Sequence, residues 1–220
     1  MTYHSQSSLP AQPLDSLLAE YAVGTLPRPL HALVGAHLDL APHSGKFVSD
    51  LEAVVGSEVG GMSPVPINAR DKMLAGIFAI TTSSDAAPAS TGDDPVFTPV
   101  MLDYVGMPSR DVPWRTVLPG VKEYVISSKG GLEAKLYWIK AGRKMPSHTH
   151  DGQEVTLVLS GAFSDMSGHY RRGDVAIADQ DIDHKPVSDP DQDCICFAVT
   201  DAPLKLTGPV GKLFQSIFRD

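Results

Sequence analysis

The stretch GRKMPSHTHDGQEVTLVLSG, from Gly142 to Gly161, decides the fold of this 220-residue chain. Its second half, Val155 to Leu159, is rich in β-branched and apolar residues and predicts a strand. His148 and His150 stand two positions apart, so on a strand both imidazoles face the same side. Glu154 follows at an even spacing and can share that face. The stretch therefore predicts a β-rich domain that carries metal-binding side chains on one face of a strand.

A third histidine completes the candidate metal site. His184 comes just after the predicted strand GDVAIA, and a barrel would bring it opposite His148, His150 and Glu154. Imidazole and carboxylate ligands suit Zn, Fe, Mn, Ni or Cu. Four protein ligands would saturate zinc but leave positions open on iron or manganese, and the spacing does not choose between these cases. We predict one transition metal on these four residues, and Zn, Fe, Mn and Ni all stay open at this point.

The segments around this site repeat the period of two that is typical of strands. The predicted strands are Val121–Ser127, Leu132–Ile139, Val155–Leu159, Val175–Ala178 and Cys194–Thr200. Glycines separate them, as in antiparallel sandwiches and barrels. Before residue 81 the period is helical, and four helices are predicted: Leu14–Tyr21, Pro29–Leu40, Gly45–Val55 and Asn68–Ile80, the last with Asn68 as its N-cap. The fold class is therefore α+β, a small N-terminal helical bundle followed by an antiparallel β-sandwich or barrel.

The polar segment TTSSDAAPASTGDD, Thr81 to Asp94, has the composition of a tether. It divides the chain into a helical domain (1–81), a linker (82–97), a metal-binding β domain (98–210) and a C-terminal tail (211–220). We expect the linker to make the two halves separable. We also expect the short helices to form only a modest core that depends on a metal or a partner.

The chain is acidic, with 18 Lys and Arg against 26 Asp and Glu and a net charge of −8. This balance argues against direct nucleic-acid binding and favours a basic partner. There is no uninterrupted apolar run of about 18 residues, so no membrane-spanning helix is expected. The N-terminus lacks the basic flank and apolar stretch of a secretory signal, and we expect a cytoplasmic protein.

Two cysteines, Cys194 and Cys196, are separated by one residue of a predicted strand. We expect their side chains to point to opposite faces and to form no disulfide. Burial in the core is the favoured interpretation, because free cysteine is among the most buried residue types. The alternative is an oxidant sensor beside the metal, which requires exposure and thiolate character.

The metal-site stretch resembles the first sequence motif of the cupins. Gly142, His148, His150, Glu154 and Gly161 reproduce that motif in full. The second motif is partial: Gly173 and His184 fit, but the family's Pro-x-Gly turn is missing. The resemblance implies a cupin barrel with His148, His150, Glu154 and His184 as its metal ligands.

The rest of the chain resembles the ChrR family of zinc anti-sigma factors. SLLAEYAVGTLPRPLHALVGAHLDL (16–40) is similar to that family's N-terminal helices, and DCICFAVTDAPLKLTG (193–208) to its second, cupin-like domain. The resemblance implies a cytoplasmic inhibitor of a group IV (extracytoplasmic-function) sigma factor. The helices would occlude the sigma surface for core RNA polymerase. The cupin-like domain would serve release under oxidative stress, from singlet oxygen or organic peroxides.

The chain departs from this family at the N-terminal zinc site, which uses an early histidine followed by H-x3-C-x2-C. His37 matches the motif histidine and His4 is a candidate for the early one, but Ala41 and Ser44 occupy the cysteine positions. We therefore expect at most a degenerate site at His4 and His37, with no tight zinc, because thiolates supply much of the affinity of such sites. His37 is then expected to lie at a helix interface.

Two questions stay open at the level of the sequence. The alternative to a regulator is a cupin-type metalloenzyme, a dioxygenase or isomerase with Fe or Mn, since one scaffold hosts both classes. The oligomeric state is also undetermined, with a homodimer as one alternative. His31 and His169 are expected to be surface residues without a role.

Overall fold

The computed structural model describes residues 13–80, 94–129, 131–150, 152–179, 182–202 and 204–207. Its helices are α1 (Pro13–Ala22), α2 (Arg28–Leu40), α3 (Pro42–Gly60), α4 (Arg70–Phe78) and α5 (Pro99–Val105). Its strands are β1 (Arg115–Leu118), β2 (Val121–Lys129), β3 (Leu132–Ile139), β4 (His148–His150), β5 (Glu154–Ser160), β6 (Ala162–Ser164), β7 (His169–Arg171), β8 (Val175–Ala178), β9 (Val187–Ser188), β10 (Cys194–Thr200) and β11 (Leu204–Leu206).

The strands form three antiparallel sheets. The largest has six strands in the order β1-β2-β3-β10-β5-β8, β11 pairs with β4, and the third sheet has the order β7-β6-β9. Helices followed by antiparallel sheets confirm the predicted α+β class of the cupin type. Within the described ranges, no helix is long and apolar enough to cross a membrane.

The helices and the six-stranded sheet share one hydrophobic core. Leu33 and Val34 of α2 are fully buried, and they belong to the same cluster as Leu157 of β5 and Phe197 of β10. The other face of this sheet carries a second cluster, which includes Val158, Cys194 and Cys196. The face of the sheet that carries Leu157 and Phe197 therefore completes the core of the short helices. The expectation that the two halves are separable did not include this packing.

Some element boundaries differ from the sequence-based expectation. The N-cap of α4 is Ala69, in the left-handed region at φ 61°, and not Asn68, so that prediction was wrong. Helix α3 runs to Gly60, and α5 and β1 were not predicted. Of the expected linker, residues 82–93 lie outside the described part of the chain, while Phe97 at its end is buried in the core.

Candidate metal centre

Three buried histidines converge inside the β domain. One ring nitrogen from each of His148, His150 and His184 lies within 4.8 Å of the others. His148 and His150 share a face of β4 because they are two residues apart, and both point inward. His184 lies across from His148, to which it is joined by two backbone hydrogen bonds of 3.0 Å. The structure therefore brings together the three histidines that the sequence singled out.

The hydrogen bonds of two of these rings fix where their protons lie. His148 Nδ1 lies 2.8 Å from the carbonyl oxygen of Pro146, and His184 Nδ1 lies 2.9 Å from a carboxylate oxygen of Asp165. Both partners can only accept, so each Nδ1 carries a hydrogen, and in the neutral ring each Nε2 keeps a lone pair. This is the tautomer in which a histidine binds a metal through Nε2.

The donor set fits a bound cation. Nε2 of His150 lies 3.3 Å from Nε2 of His184, and Nδ1 of His150 is buried without a hydrogen-bond partner. Burial lowers the pKa of His148 to about 4, and burial together with the neighbouring His184 lowers that of His150 to about 4. Both rings are therefore neutral at pH 7, and a neutral imidazole can offer a lone pair to a metal ion.

Glu154 lies at the edge of this group. Its Oε1 is 3.9 Å from Nε2 of His150 and accepts a hydrogen bond of 3.2 Å from the hydroxyl of Thr156. The carboxylate is therefore beside the three histidines rather than within the cluster that they form. Gly152 shapes this corner, because a Cβ there would meet Oδ1 of Asp201 at 2.0 Å.

An apolar cavity adjoins the histidines. Its lining includes His148, Glu154 and His184 together with the apolar side chains Ile139, Met145, Phe163, Ile177 and Ile182. A metal on the histidines would face this cavity, so a small ligand with an apolar body and one polar group could reach it.

Cys194 and Cys196 lie on the same face of β10, and the expectation of opposite faces was wrong because residues two apart on a strand point the same way. Both are buried and free, with their sulfurs 3.5 Å apart. The hydrogen bond to Cys194, together with burial, raises the pKa of the Cys196 thiol well above its usual value. Cys196 also lines the cavity beside the metal site.

His37 lies on α2 and is 2% exposed. Its Nδ1 donates to the carbonyl oxygen of Gly173 over 2.7 Å, so its Nε2 accepts from the hydroxyl of Ser44 over 2.9 Å. The hydroxyl of Ser44 is thus bonded to the nitrogen of His37 through which a metal could be held. His4 lies outside the described residues.

Sequence reasoning missed Asp165, which holds His184. Asp165 stands in a turn between β6 and β7, and the pattern Asp-Met-Ser-Gly indicates a turn without indicating what the carboxylate reaches. His169 and His31 are exposed: His169 Nε2 lies 2.9 Å from Oδ2 of Asp189, and His31 stacks on Tyr21 with ring centroids 4.6 Å apart.

Three convergent histidines in an antiparallel barrel, under a layer of helices, define a cupin-type metal-site protein. The ChrR cupin-like domain family matches residues 104–203. The anti-sigma-E factor ChrR of Cereibacter sphaeroides is 39% identical over 206 residues, which are 93% of this chain and 96% of that protein. A chain of the crystal structure of Rhodobacter sphaeroides SigE in complex with the anti-sigma ChrR matches with a TM-score of 0.71 and 36% identity, over 85% of this chain and 96% of that one.

The chain therefore belongs to the ChrR family of anti-sigma factors, as the resemblance of residues 16–40 and 193–208 predicted.

Proposed function

We propose that this chain is an anti-sigma factor that binds and inhibits a group IV sigma factor in the cytoplasm. The similarity to ChrR extends over helices and β domain alike, and the solved relative is in complex with SigE. In this proposal residues 1–81 bind the sigma factor and residues 98–210 form the sensing domain.

The observation that carries the proposal is an exposed apolar surface on the second half of α3, on α4 and on the segment between them. We call it the α3–α4 surface; its residues are Val54, Val55, Val59, Met62, Val65, Ile67, Met73, Ile77 and Phe78. Phe78 is 83% exposed and Val65 is 85% exposed, and α4 buries none of its residues. Exposed apolar residues in this number along one stretch of chain favour a site for a protein partner, here the surface of the sigma factor.

The proposed cofactor of the β domain is one zinc ion on His148, His150, Glu154 and His184, with Fe, Mn or Ni as alternatives. Metal content measured by elemental analysis tests this assignment, because a His148→Ala, His150→Ala double variant should lose the metal. A double variant that retains its full metal content contradicts it.

We further propose that the β domain responds to oxidative stress through the apolar cavity beside the histidines, here called the pocket. Cys196 lines the pocket and its sulfur lies 3.5 Å from that of Cys194. A hydroperoxide that enters the pocket would transfer one oxygen to the Cys196 thiol, giving a sulfenic acid and an alcohol. Because the pKa of Cys196 is raised, its thiol is protonated at neutral pH and reacts slowly with oxidants in solution. The proposed reaction therefore requires an oxidant that the pocket holds next to the sulfur.

Capture of the group IV sigma factors of the host by the full chain tests the proposed function. The expected result is a stoichiometric complex with one of them that blocks its association with core RNA polymerase. Failure of the folded, metal-loaded chain to retain any group IV sigma factor overturns the proposal. Release on addition of an organic hydroperoxide, lost in a Cys194→Ser, Cys196→Ser variant, tests the sensing step separately.

A further inference from the structure

We propose that Asp165 is a positioning residue of the metal centre, which holds His184 in the tautomer and orientation that bind the ion. This inference rests on the proposed metal site. It adds to the site a residue of the β6–β7 turn that belongs to neither cupin sequence motif.

The contact between Asp165 and His184 is buried and direct. Oδ2 of Asp165 accepts a hydrogen bond of 2.9 Å from Nδ1 of His184, and the two side chains are only 4% and 6% exposed. A carboxylate offers no hydrogen, so Nδ1 carries one, and in the neutral ring that binds a metal Nε2 presents the lone pair. That Nε2 points at the other histidines, 3.3 Å from Nε2 of His150.

The second carboxylate oxygen of Asp165 anchors the side chain. Oδ1 accepts backbone hydrogen bonds from Ser167 at 2.8 Å and Gly168 at 3.1 Å, and the backbone N–H of Asp165 donates to the carbonyl of Gly168 at 2.9 Å. The turn therefore fixes one oxygen and aims the other at His184. A carboxylate held in this way orients a metal-binding imidazole and increases its basicity.

The three histidines differ in the partner of their Nδ1 atom. His148 donates to a neutral carbonyl oxygen, that of Pro146, and Nδ1 of His150 has no partner. Among the histidines of this cluster, His184 is thus the one whose ring is fixed by a carboxylate. Loss of this contact should affect metal binding more than it affects the fold, because the turn itself is held by Oδ1.

Substitution of Asp165 by asparagine separates its role in the turn from its role in orienting His184. The amide oxygen of an asparagine can continue to accept from the two turn N–H groups, but its NH2 group then faces His184 and donates. Nδ1 of His184 must become the acceptor, the hydrogen moves to Nε2, and the lone pair that would bind the metal is lost. The turn stays intact while the ligand is presented in the wrong tautomer.

The experiment compares the full-length wild type, Asp165→Asn and Asp183→Asn for binding of Zn²⁺ and Co²⁺, by competition with a chromophoric chelator and by the Co²⁺ absorption spectrum. Asp183 is the matched control: it is exposed beside His184, and its Oδ1 accepts from the hydroxyl of Thr207 at 2.8 Å rather than from an imidazole. We expect Asp165→Asn to bind about 10- to 100-fold more weakly with an altered Co²⁺ spectrum. Its metal-free unfolding midpoint should match that of the wild type.

Wild-type affinity in Asp165→Asn overturns the inference and leaves the metal site standing. Equal losses in both variants overturn it too, because they would report only the removal of a negative charge. A wild type that binds neither ion overturns the metal site itself, and the positioning role with it.

Discussion

At the scale of single residues, His37 joins the helices to the β domain without a metal. Its two ring nitrogens are hydrogen-bonded to Ser44 of α3 and to the carbonyl of Gly173 in the turn before β8. Gly173 has φ +94°, and a Cβ there would lie 3.1 Å from Cβ of Leu40, so α2 and this turn are in close contact. The helices and the β domain are thus joined here by a pair of buried hydrogen bonds.

His37→Ala should therefore destabilise the protein without removing a metal ion. We expect a loss of about 2–4 kcal/mol in the free energy of unfolding, because the hydroxyl of Ser44 and the carbonyl of Gly173 are left unpaired in the interior. Denaturant unfolding and elemental analysis measure the two quantities. His31→Ala, an exposed histidine on the same helix, should stay within about 0.5 kcal/mol of the wild type. Loss of one of two zinc ions on His37→Ala would contradict the prediction.

The lowered pKa values of His148 and His150 predict an acid-sensitive metal-free protein. Both pKa values are about 4 in the folded state, below the ordinary value of 6.5. Between these values the unfolded chain binds more protons, so stability is complete above pH 6.5 and falls as the pH drops toward 4, by up to about 1.4 kcal/mol per pH unit for each histidine. Urea unfolding of the apoprotein between pH 7 and 5 measures this slope, which should be shallower in a His148→Gln, His150→Gln variant. Equal slopes in both proteins would contradict the assignment.

The histidines of the site could be predicted from sequence because a spacing of two places residues on one face of a strand. The same rule places the side chains of Cys194 and Cys196 on one face of β10, against our expectation. Asp165 could not be found, since its contact with His184 arises only when the β6–β7 turn folds onto the residues after β8. Ser44 likewise acquires its role from the packing of α3 against α2.

At the scale of elements, α4 has little to hold it in isolation. It has nine residues, no side-chain N-cap and no buried residue. A helix this short is marginal in water unless its apolar face is packed. We therefore expect α4 to gain its stability from the partner that covers the α3–α4 surface.

Phe78→Ser tests this role of α4. The side chain is 83% exposed, so we expect the stability of the free protein to change by less than about 0.5 kcal/mol. Affinity for the sigma factor should fall at least about tenfold, because a buried aromatic contact at an interface is commonly worth more than 1.4 kcal/mol. Met166→Ser is the matched control, with 81% exposure on the β domain. Equal affinity of both variants, measured by biolayer interferometry, would exclude Phe78 from the interface.

The elements that sequence predicted best are the strands whose apolar pattern spans four residues or more. Strands β3, β8 and β10 have the bounds that their apolar patterns indicated. Strands β6, β7 and β9 have two or three residues each, too few for a period to be visible, and they exist because neighbouring strands supply their hydrogen bonds. Helix α5 has seven residues, too few for a helical period, although Thr98 at its N-cap and Pro99 at its first position mark the start. The side chain of Thr98 accepts a hydrogen bond from the N–H of Met101.

At the scale of the whole molecule, the shared core makes the helices part of the stability of the β domain. Helix α2 contacts β5 and β10, the strands that form the centre of the large sheet together with β3. Removing the helices would expose the apolar face that carries Leu157 and Phe197. A change in the helices, such as the binding of a sigma factor, is therefore energetically linked to the sheet on whose other face the cavity and the two cysteines lie.

Leu33→Ala should therefore destabilise the β domain from a position on α2. Leu33 is fully buried in the shared core, and truncation of such a leucine costs about 2–5 kcal/mol. Both tryptophans of the chain, Trp114 and Trp138, lie in the β half, so their fluorescence reports the unfolding of that half alone. With a shared core the helices and the sheet unfold together, so the denaturant midpoint detected by tryptophan fluorescence should fall by the amount that corresponds to this whole loss of stability.

Val54→Ala, at an exposed position of α3, is the control and should leave the midpoint unchanged. If the halves were independent, the midpoint would stay at the wild-type value in Leu33→Ala as well.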